Sequence, residues 1–230
     1  GARNGWVEAP YRPVPCVALA EAPIPAPVRD PRLTVHVIPG VKQRDPADVM
    51  RGEETQIAGY LAQNPGFDGI LCLPGTHSKW VQVSAGEIVG FRSFLTGEMF
   101  GLLADRSVLR HTIAPAGGDA AAFAQAVTDA LARPEALMAR LFSLRAEALL
   151  NGLPGATARA WLSGLLIGAE LAAAKPYWLG QPVALIGAPD LARAYADALT
   201  AQGHRPTLVE GGAMTLAGLS AAFHSLRNQT

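Results

Sequence analysis

The sequence predicts an α/β fold, and two features of the chain indicate it. Short apolar runs stop at Gly or Pro turns, as residues 70–73 do before Pro74-Gly75 and residues 183–186 do before Gly187. Longer segments with apolar residues at helical spacing lie between or after these runs. Near the C-terminus, two such runs are each followed by a helical segment, which is typical of an open α/β sheet.

The composition favours a protein that acts on small molecules. Lys plus Arg equals Asp plus Glu at 19 each, so the charge balance does not indicate a nucleic acid or an anionic membrane as partner. The most apolar segment, 160–174, is interrupted by Glu170 and by glycines, so we expect no membrane span. Cys16 and Cys72 lie far apart, and no signal peptide is evident, so we expect a cytoplasmic location.

The first third of the chain offers candidate polar residues. Residues 1–12 carry Arg3, Asn4 and Trp6, and this stretch is either the entry to a binding loop or a plain surface loop. Further on, Asp45-Pro46 predicts a helix start, with Asp as N-cap and Pro at the first helical position.

An acidic pair follows inside that predicted helix. Glu53 and Glu54 lie within the segment RGEETQ, and adjacent helical residues face different directions, so at most one is expected to point into a site. The alternative is a solvated acidic helix start.

Residues 69–89 predict a hairpin with a polar tip. A strand ends at Pro74-Gly75, Thr76, His77 and Ser78 form the bend, and Trp80 resumes a strand. Successive N–H groups in such a turn, together with the hydroxyls, are suited to bind an anion such as phosphate. Lys79 adds positive charge. An ordinary β-turn is the alternative.

The rest of the chain predicts helices and two strand–helix units. Thr96 and Asp119 are predicted N-caps, and the Met and aromatic residues of the segment after Pro134 are predicted to be core. Glycines follow the last two strands, at Gly187 and at Gly211-Gly212, where they permit either close approach of a ligand or simple packing.

Familiar catalytic signatures are absent. The sequence has no GxxxxGK[ST], HExxH, CxxC or GxSxG, and its five histidines lack metal-ligand spacing, so no protein metal site is predicted. His77 and Ser78 are not expected to act as base and nucleophile, because adjacent residues of a strand point apart.

Five segments carry a resemblance to a known family. GARNGWVEAPY, DVMRGEETQIAG, LPGTHSKWV, FLTGEMFGLL and WLSGLLIGAE together resemble the 2-dehydro-3-deoxygalactonokinase family of the actin-like ATPase superfamily. The resemblance implies an actin-like ATPase (ribonuclease H-like) fold with two domains. A sugar-binding first domain at 1–65 would be N-terminally incomplete, and a nucleotide-binding second domain would span 66–230. The superfamily's first phosphate hairpin would precede Gly1, which leaves open whether this chain alone is active.

The resemblance also implies a reaction. It is ATP-dependent, Mg²⁺-assisted phosphorylation of 2-dehydro-3-deoxy-D-galactonate at O6. The alternatives are a kinase of the same fold for another sugar or sugar acid, and an inactive protein that senses a sugar or a nucleotide. The expected partners are the sugar acid and ATP, and a homodimer is left open.

Site residues follow from the same resemblance. A second phosphate loop and an adenosine motif are implied at Gly75, Thr76, His77, Ser78, Lys79, Gly187, Gly211 and Gly212. Glu53 is the implied general base, with Glu54 in reserve. The substrate carboxylate needs a cation, for which Arg3 is the first choice and Arg51 the second, and Asn4 and Trp6 are assigned to substrate binding with them.

Overall fold

The computed structural model describes residues 7, 9–19 and 23–227 of the chain. Its strands are β1 (Arg12–Pro13), β2 (Cys16–Val17), β3 (Ile24–Ala26), β4 (Val35–Val37), β5 (Val41–Gln43), β6 (Asp48–Met50), β7 (Gly69–Leu73), β8 (Ser78–Ser84), β9 (Glu87–Phe94), β10 (Val183–Gly187) and β11 (Thr207–Glu210). Its helices are α1 (Glu53–Gln63), α2 (Thr96–Arg106), α3 (Ala120–Ala132), α4 (Leu137–Leu150), α5 (Gly155–Ala173), α6 (Lys175–Trp178), α7 (Pro189–Thr200) and α8 (Gly211–Arg227). Short 3-10 helices lie at Val108–His111 and Pro134–Ala136.

A mixed sheet of six strands organises the fold, in the order β11, β10, β7, β8, β9, β2. Strands β7, β10 and β11 run parallel, whereas β8 is antiparallel to both of its neighbours. The carboxyl ends of β7, β10 and β11 therefore lie at one edge of the sheet, where β8 begins. The predicted α/β class is confirmed.

Helices cover both faces of this sheet, so β7 and β10 are buried along their whole lengths. Continuous apolar runs such as these are typical of strands buried on both sides. On one face Trp80 packs in a cluster with Leu171 of α5 and Tyr195 of α7. On the other face Val81 packs in a cluster with residues of α1 and α8. The side chains of β8 thus alternate between two separate cores.

Helices α1 and α8 cross with their backbones in contact. A Cβ atom at Gly218 would lie 1.9 Å from the carbonyl oxygen of Thr55, and one at Gly59 would lie 2.1 Å from that of Met214. Both distances are far below van der Waals contact, so glycine is required at these two positions. The crossing joins the first third of the chain to its C-terminal helix.

The predicted helix start at Asp45-Pro46 is wrong. These residues form the turn between β5 and β6, which pair as antiparallel strands, and α1 begins only at Glu53. The pairing is held in place because the Asp48 carboxylate accepts hydrogen bonds from the backbone N–H and the hydroxyl of Ser93 in β9, both at 2.6 Å. Contacts distant in sequence therefore override the local helix signal.

Two further expectations about helices differ from the structure. Thr96 is the first residue of α2 rather than its cap, and its hydroxyl donates to the Glu170 carboxylate instead. In α4, Met138 and Phe142 are 75% and 66% exposed rather than core. By contrast Asp119 caps α3 as predicted, because its carboxylate accepts the N–H of Ala122 at 3.0 Å.

Among the described residues, no helix combines the length and apolar character that crossing a bilayer would require. Strand β2 joins the edge of the large sheet, so the front of the chain and the rest share one sheet. The predicted division between 1–65 and 66–230 stays a prediction.

Candidate active site

Three turns meet at the sheet edge where β7, β10 and β11 end. A Cβ atom at Gly187 would lie 3.4 Å from the carbonyl oxygen of Pro74, and one at Gly211 would lie 3.2 Å from the Cα of Gly187. A Cβ at Gly187 would be in ordinary contact, whereas one at Gly211 would be closer than side chains normally come, so Gly211 in particular lets these backbones approach one another. The sequence-predicted glycine turns are therefore neighbours in space.

The turn after β7 rests on the start of α2. The N–H of Glu98 donates to the carbonyl oxygen of Thr76 at 2.9 Å. Gly97 packs so closely on Gly75 that a Cβ there would lie 2.3 Å from the Gly75 carbonyl oxygen. His77 Nε2 lies 2.5 Å from Glu98 Oε2, and both side chains are about half exposed. The turn is therefore fixed from behind, while Thr76 and His77 face outward.

Ser78 and Lys79, at the start of β8, point to opposite faces of the sheet. The Ser78 hydroxyl is fully buried and lies 2.9 Å from the hydroxyl of Tyr195. The Lys79 side chain is 5% exposed, and its Nζ lies 3.6 Å from Glu53 Oε1. One residue therefore supports the turn from the α7 side, and the other brings a cation to the start of α1.

Glu53 and Glu54 have different environments. Glu53 Oε2 accepts the N–H of Arg51 at 2.9 Å, and its side chain stays 24% exposed. Glu54 is buried, and its carboxylate accepts the N–H of Gly52 at 2.7 Å and the hydroxyl of Thr55 at 3.1 Å. Burial raises the pKa of Glu54, although those hydrogen bonds oppose the shift. Of the two, only Glu53 reaches the surface beside Lys79.

Arg51 has unused hydrogen-bonding capacity. Its guanidinium carbon lies 4.6 Å from the centre of the Tyr11 ring, a cation–π contact. Its Nε and Nη2 atoms are buried and have no hydrogen-bond partner among the residues that the structure describes. Because buried donors without partners are costly, these two N–H groups suit an anionic ligand. Arg3, Asn4 and Trp6, also predicted to bind substrate, lie outside the described residues.

A cavity of about 1050 Å³ opens beside the turn after β7. Gly75 and Thr76 form one end of it, and the walls come from α3, α5 and α7. Gly117 and Gly118, just before α3, also line it, and the sequence analysis missed both. Two adjacent glycines ahead of a capped helix were the available signal, because glycines leave backbone N–H groups accessible at a helix start.

The turn after β11 is already occupied by a carboxylate. Glu210 accepts the N–H groups of Gly212 at 2.8 Å and Ala213 at 2.5 Å. These bonds lower the pKa of Glu210, which thereby caps α8. Gln56, in α1, donates to the Thr215 hydroxyl at 3.2 Å and so ties this turn to the neighbourhood of Glu53.

Within residues 7, 9–19 and 23–227, no group of three or more His, Cys, Asp or Glu side chains could hold a metal ion.

The Glu170 carboxylate lies buried directly behind the turn and accepts hydrogen bonds from Thr96, Trp80 and Tyr195. The sequence analysis noted this residue only as an interruption of an apolar segment. A single carboxylate in an otherwise apolar helix was the signal for it.

Comparisons with known proteins agree with one another. Residues 1–222 match the family model described as 2-keto-3-deoxy-galactonokinase. A Rhizobium meliloti (strain 1021) protein described as "Probable 2-dehydro-3-deoxygalactonokinase DgoK1" is 39% identical, over 98% of this chain and 76% of that protein. The Escherichia coli (strain K12) protein described as 2-dehydro-3-deoxygalactonokinase is 36% identical, over 99% of this chain and 77% of that protein. A Sinorhizobium meliloti crystal structure, described as that of "a putative 2-dehydro-3-deoxygalactonokinase protein", has a TM-score of 0.89 and 40% identity, over 98% of this chain and 77% of that one.

Proposed function

Because the chain belongs to the 2-keto-3-deoxy-galactonokinase family, we propose that it transfers the γ-phosphoryl group of ATP to O6 of 2-dehydro-3-deoxy-D-galactonate. The O6–P bond forms as the bond between the γ-phosphorus and its bridging oxygen breaks, ADP leaves, and the hydroxyl proton passes to a base. One observation carries the proposal for the site. The turn after β7 has a nucleotide-sized cavity on one side and the pair of Glu53 and Lys79 on the other.

We propose the actin-like, ribonuclease H-like fold for the large sheet. An antiparallel meander of β9, β8 and β7, continued by the parallel strands β10 and β11, supports this assignment. The proposal keeps a first domain at 1–65 and a second at 66–230, with closure between them excluding water from the reaction. A cytoplasmic location also remains part of it, on the basis of composition.

ATP is proposed to place its adenosine in the cavity and its phosphates at the turn. A volume of about 1050 Å³ is ample for a nucleotide, since ligand pockets commonly measure about 300–1,000 Å³. We assign the phosphates to the backbone N–H groups of Gly75, Thr76 and His77 and not to the His77 ring, because that ring is paired with Glu98. Ser78 would act through the turn, since its hydroxyl is bonded to Tyr195.

The glycine turns after β10 and β11 are proposed to let the nucleotide approach the backbone closely. Gly187, Gly211 and Gly212 are proposed to contribute by lacking side chains, because Glu210 already accepts the N–H groups of Gly212 and Ala213 at the start of α8. Lys79 would compensate charge between Glu53 and the transferred phosphoryl group.

Glu53 is proposed as the general base, with Glu54 in reserve. The geometry supports this order because the Glu53 side chain is 24% exposed next to Lys79, whereas Glu54 is buried at the start of α1 and cannot reach a substrate hydroxyl. A positioned base typically contributes about 10²- to 10⁴-fold to the rate.

Arg51 is proposed to bind the carboxylate of the sugar acid. Its two buried N–H donors without partners support this role, since a planar guanidinium can hold both oxygens of a carboxylate. Arg3, Asn4 and Trp6 remain proposed contributors from the opening segment.

Mg²⁺ is proposed to accompany the ATP phosphates. This ion favours phosphate and water oxygens over an all-protein cage. The described residues offer no cluster of three ligands of their own, so we assign no step to the metal through them.

The test is ADP release by the protein as its gene encodes it, with ATP, Mg²⁺ and a panel of sugar acids. We expect turnover with 2-dehydro-3-deoxygalactonate and a phosphate on O6 in the ³¹P–¹H NMR spectrum of the product. Preference for another sugar or sugar acid would reassign the substrate. ATP binding without turnover on any of them would favour a sensor.

A further inference from the structure

Glu170 is a buried carboxylate without a cationic partner. It is 3% exposed near the C-terminal end of α5, and the described ion pairs do not include it. It accepts hydrogen bonds from Trp80 Nε1 at 2.8 Å, from the Tyr195 hydroxyl at 2.7 Å, and from the Thr96 hydroxyl. Burial raises the pKa of Glu170, and the hydrogen bonds oppose that shift.

Such a group is expensive in a core whose other residues are apolar. Burying a carboxylate is tolerated only where donors satisfy it, and an apolar side chain would fill the same volume without that cost. The Glu170 partners Trp80 and Tyr195 belong to a buried cluster whose other members, such as Leu171, are apolar. The buried carboxylate is therefore expected to have a role other than packing.

Its three donors come from the elements that surround the turn after β7. Trp80 is the third residue of β8, which follows the turn directly. Thr96 opens α2, whose next residues hold the turn through the Glu98 N–H bond to Thr76 and the close contact of Gly97. Tyr195 lies in α7, lines the cavity, and its hydroxyl also meets that of Ser78 at 2.9 Å.

We propose that Glu170 is a positioning residue for ATP, which holds the start of α2, the start of β8 and α7 so that the turn after β7 presents its N–H groups to the phosphates. Glu170 touches neither nucleotide nor sugar acid. It acts through Thr96 on one side and through Tyr195 and Ser78 on the other. The inference rests on the proposed function, since it needs that turn to bind phosphate.

The proposal predicts that changes at Glu170 affect the KM for ATP but not the KM for the sugar acid. Displacing a positioning network by a fraction of an ångström typically costs about 10- to 100-fold in the step that depends on it. We expect Glu170→Gln, which keeps the volume but replaces one acceptor by a donor, to raise the KM for ATP by about that factor. The KM for the sugar acid should change less than about twofold, because Arg51 and Glu53 lie on the other face of the sheet.

A matched pair at Thr96 tests the same link without touching the carboxylate. Thr96→Val removes the hydroxyl at nearly constant volume and should raise the KM for ATP, whereas Thr96→Ser keeps the hydroxyl and should behave like the parent. If Glu170→Gln does not fold, this pair and Tyr195→Phe, which breaks both hydroxyl contacts, still decide the question.

Trp178→Phe is the control for a purely structural role. Trp178 belongs to the same core cluster and donates its Nε1 hydrogen to the Leu171 carbonyl oxygen at 2.8 Å, away from the turn. It should lower the Tm and leave the KM for ATP unchanged. If Glu170→Gln and Thr96→Val behave like this control, the positioning role is wrong. If the parent protein neither binds nor uses ATP, the proposed function fails instead.

Discussion

Lys79 Nζ lies 3.6 Å from Glu53 Oε1, and this contact joins strand β8 to the first turn of α1. The lysine is almost fully buried while the glutamate keeps about a quarter of its side chain exposed. A buried ammonium next to a partly exposed carboxylate places one cation and the proposed base side by side at the rim of the turn. The first prediction concerns that base.

Glu53→Gln should lower kcat by about 10²- to 10⁴-fold, because an amide cannot accept the hydroxyl proton. The KM for ATP should change little, since the nucleotide is proposed to bind on the other side of the turn. Steady-state ADP release measures both. Glu54→Gln is the matched control and should keep its kcat; a parent-like Glu53→Gln together with a slow Glu54→Gln would transfer the role to Glu54.

The buried carboxyl of Glu54 predicts a pH dependence of stability. Its pKa in the folded state is raised above the reference value of 4.5, so the folded state holds the proton more tightly. The stabilisation of the folded state by this protonated carboxyl is complete below about pH 4.5, and it is lost as the pH rises through the raised pKa. Glu54→Gln cannot titrate, so its Tm relative to the parent should increase over that interval in differential scanning calorimetry.

Glu210→Gln supplies the opposite sign as control. The pKa of Glu210 is lowered by the two N–H groups that it accepts, so its contribution exists above the reference value of 4.5 and disappears as the pH falls through the lowered pKa. The Tm of this variant relative to the parent should therefore decrease as the pH rises. If the Tm difference from the parent changed with pH in the same direction for both variants, the raised pKa of Glu54 would be contradicted.

Arg51→Ala should raise the KM for the sugar acid by about 10- to 100-fold, which is the size expected for a lost pair of charge-assisted hydrogen bonds. Arg51→Lys should recover only part of the loss, because an ammonium lacks the planar fork. Arg32→Ala is the control, since Arg32 is an exposed surface cation paired with Asp30. An unchanged KM in Arg51→Ala would remove the carboxylate assignment.

Gly218→Ala should destabilise the fold by about 1–3 kcal/mol, the usual cost of overpacking, because its Cβ would collide with the Thr55 carbonyl oxygen. Gly101, inside α2, has no atom within 4 Å of the position where a Cβ would be built. Gly101→Ala should therefore stabilise by about 0.5–1 kcal/mol, as expected for alanine in a helix. Urea unfolding measures both, and equal effects would contradict the close crossing.

The sequence predicted the large sheet well because its strands are short apolar runs with clear ends. The hairpin of β7 and β8, the third strand β9 and the two final strand–helix units appear where the pattern indicates them. The long apolar α5 also lies buried, as its composition implies. Each of these signals is local, so pattern reading detects it.

The failures have a common physical cause, which is contact between residues distant in sequence. Asp45 looks like a helix cap locally, yet the pairing of β5 with β6 decides its conformation. Phe142 and Met138 are apolar but remain on the surface because no other described element covers that side of α4. The cavity beside Gly75 is formed by three helices that lie far apart along the chain.

The opposite orientations of Ser78 and Lys79 constrain how this segment can evolve. A substitution in β8 changes one contact at a time, whereas a one-residue shift of its register would exchange the two faces of the strand. A lysine would then enter the apolar core around Tyr195, and the hydroxyl would be lost from behind the turn. The register of β8 therefore decides which side chain enters each core, whereas a single substitution changes only the residue that is replaced.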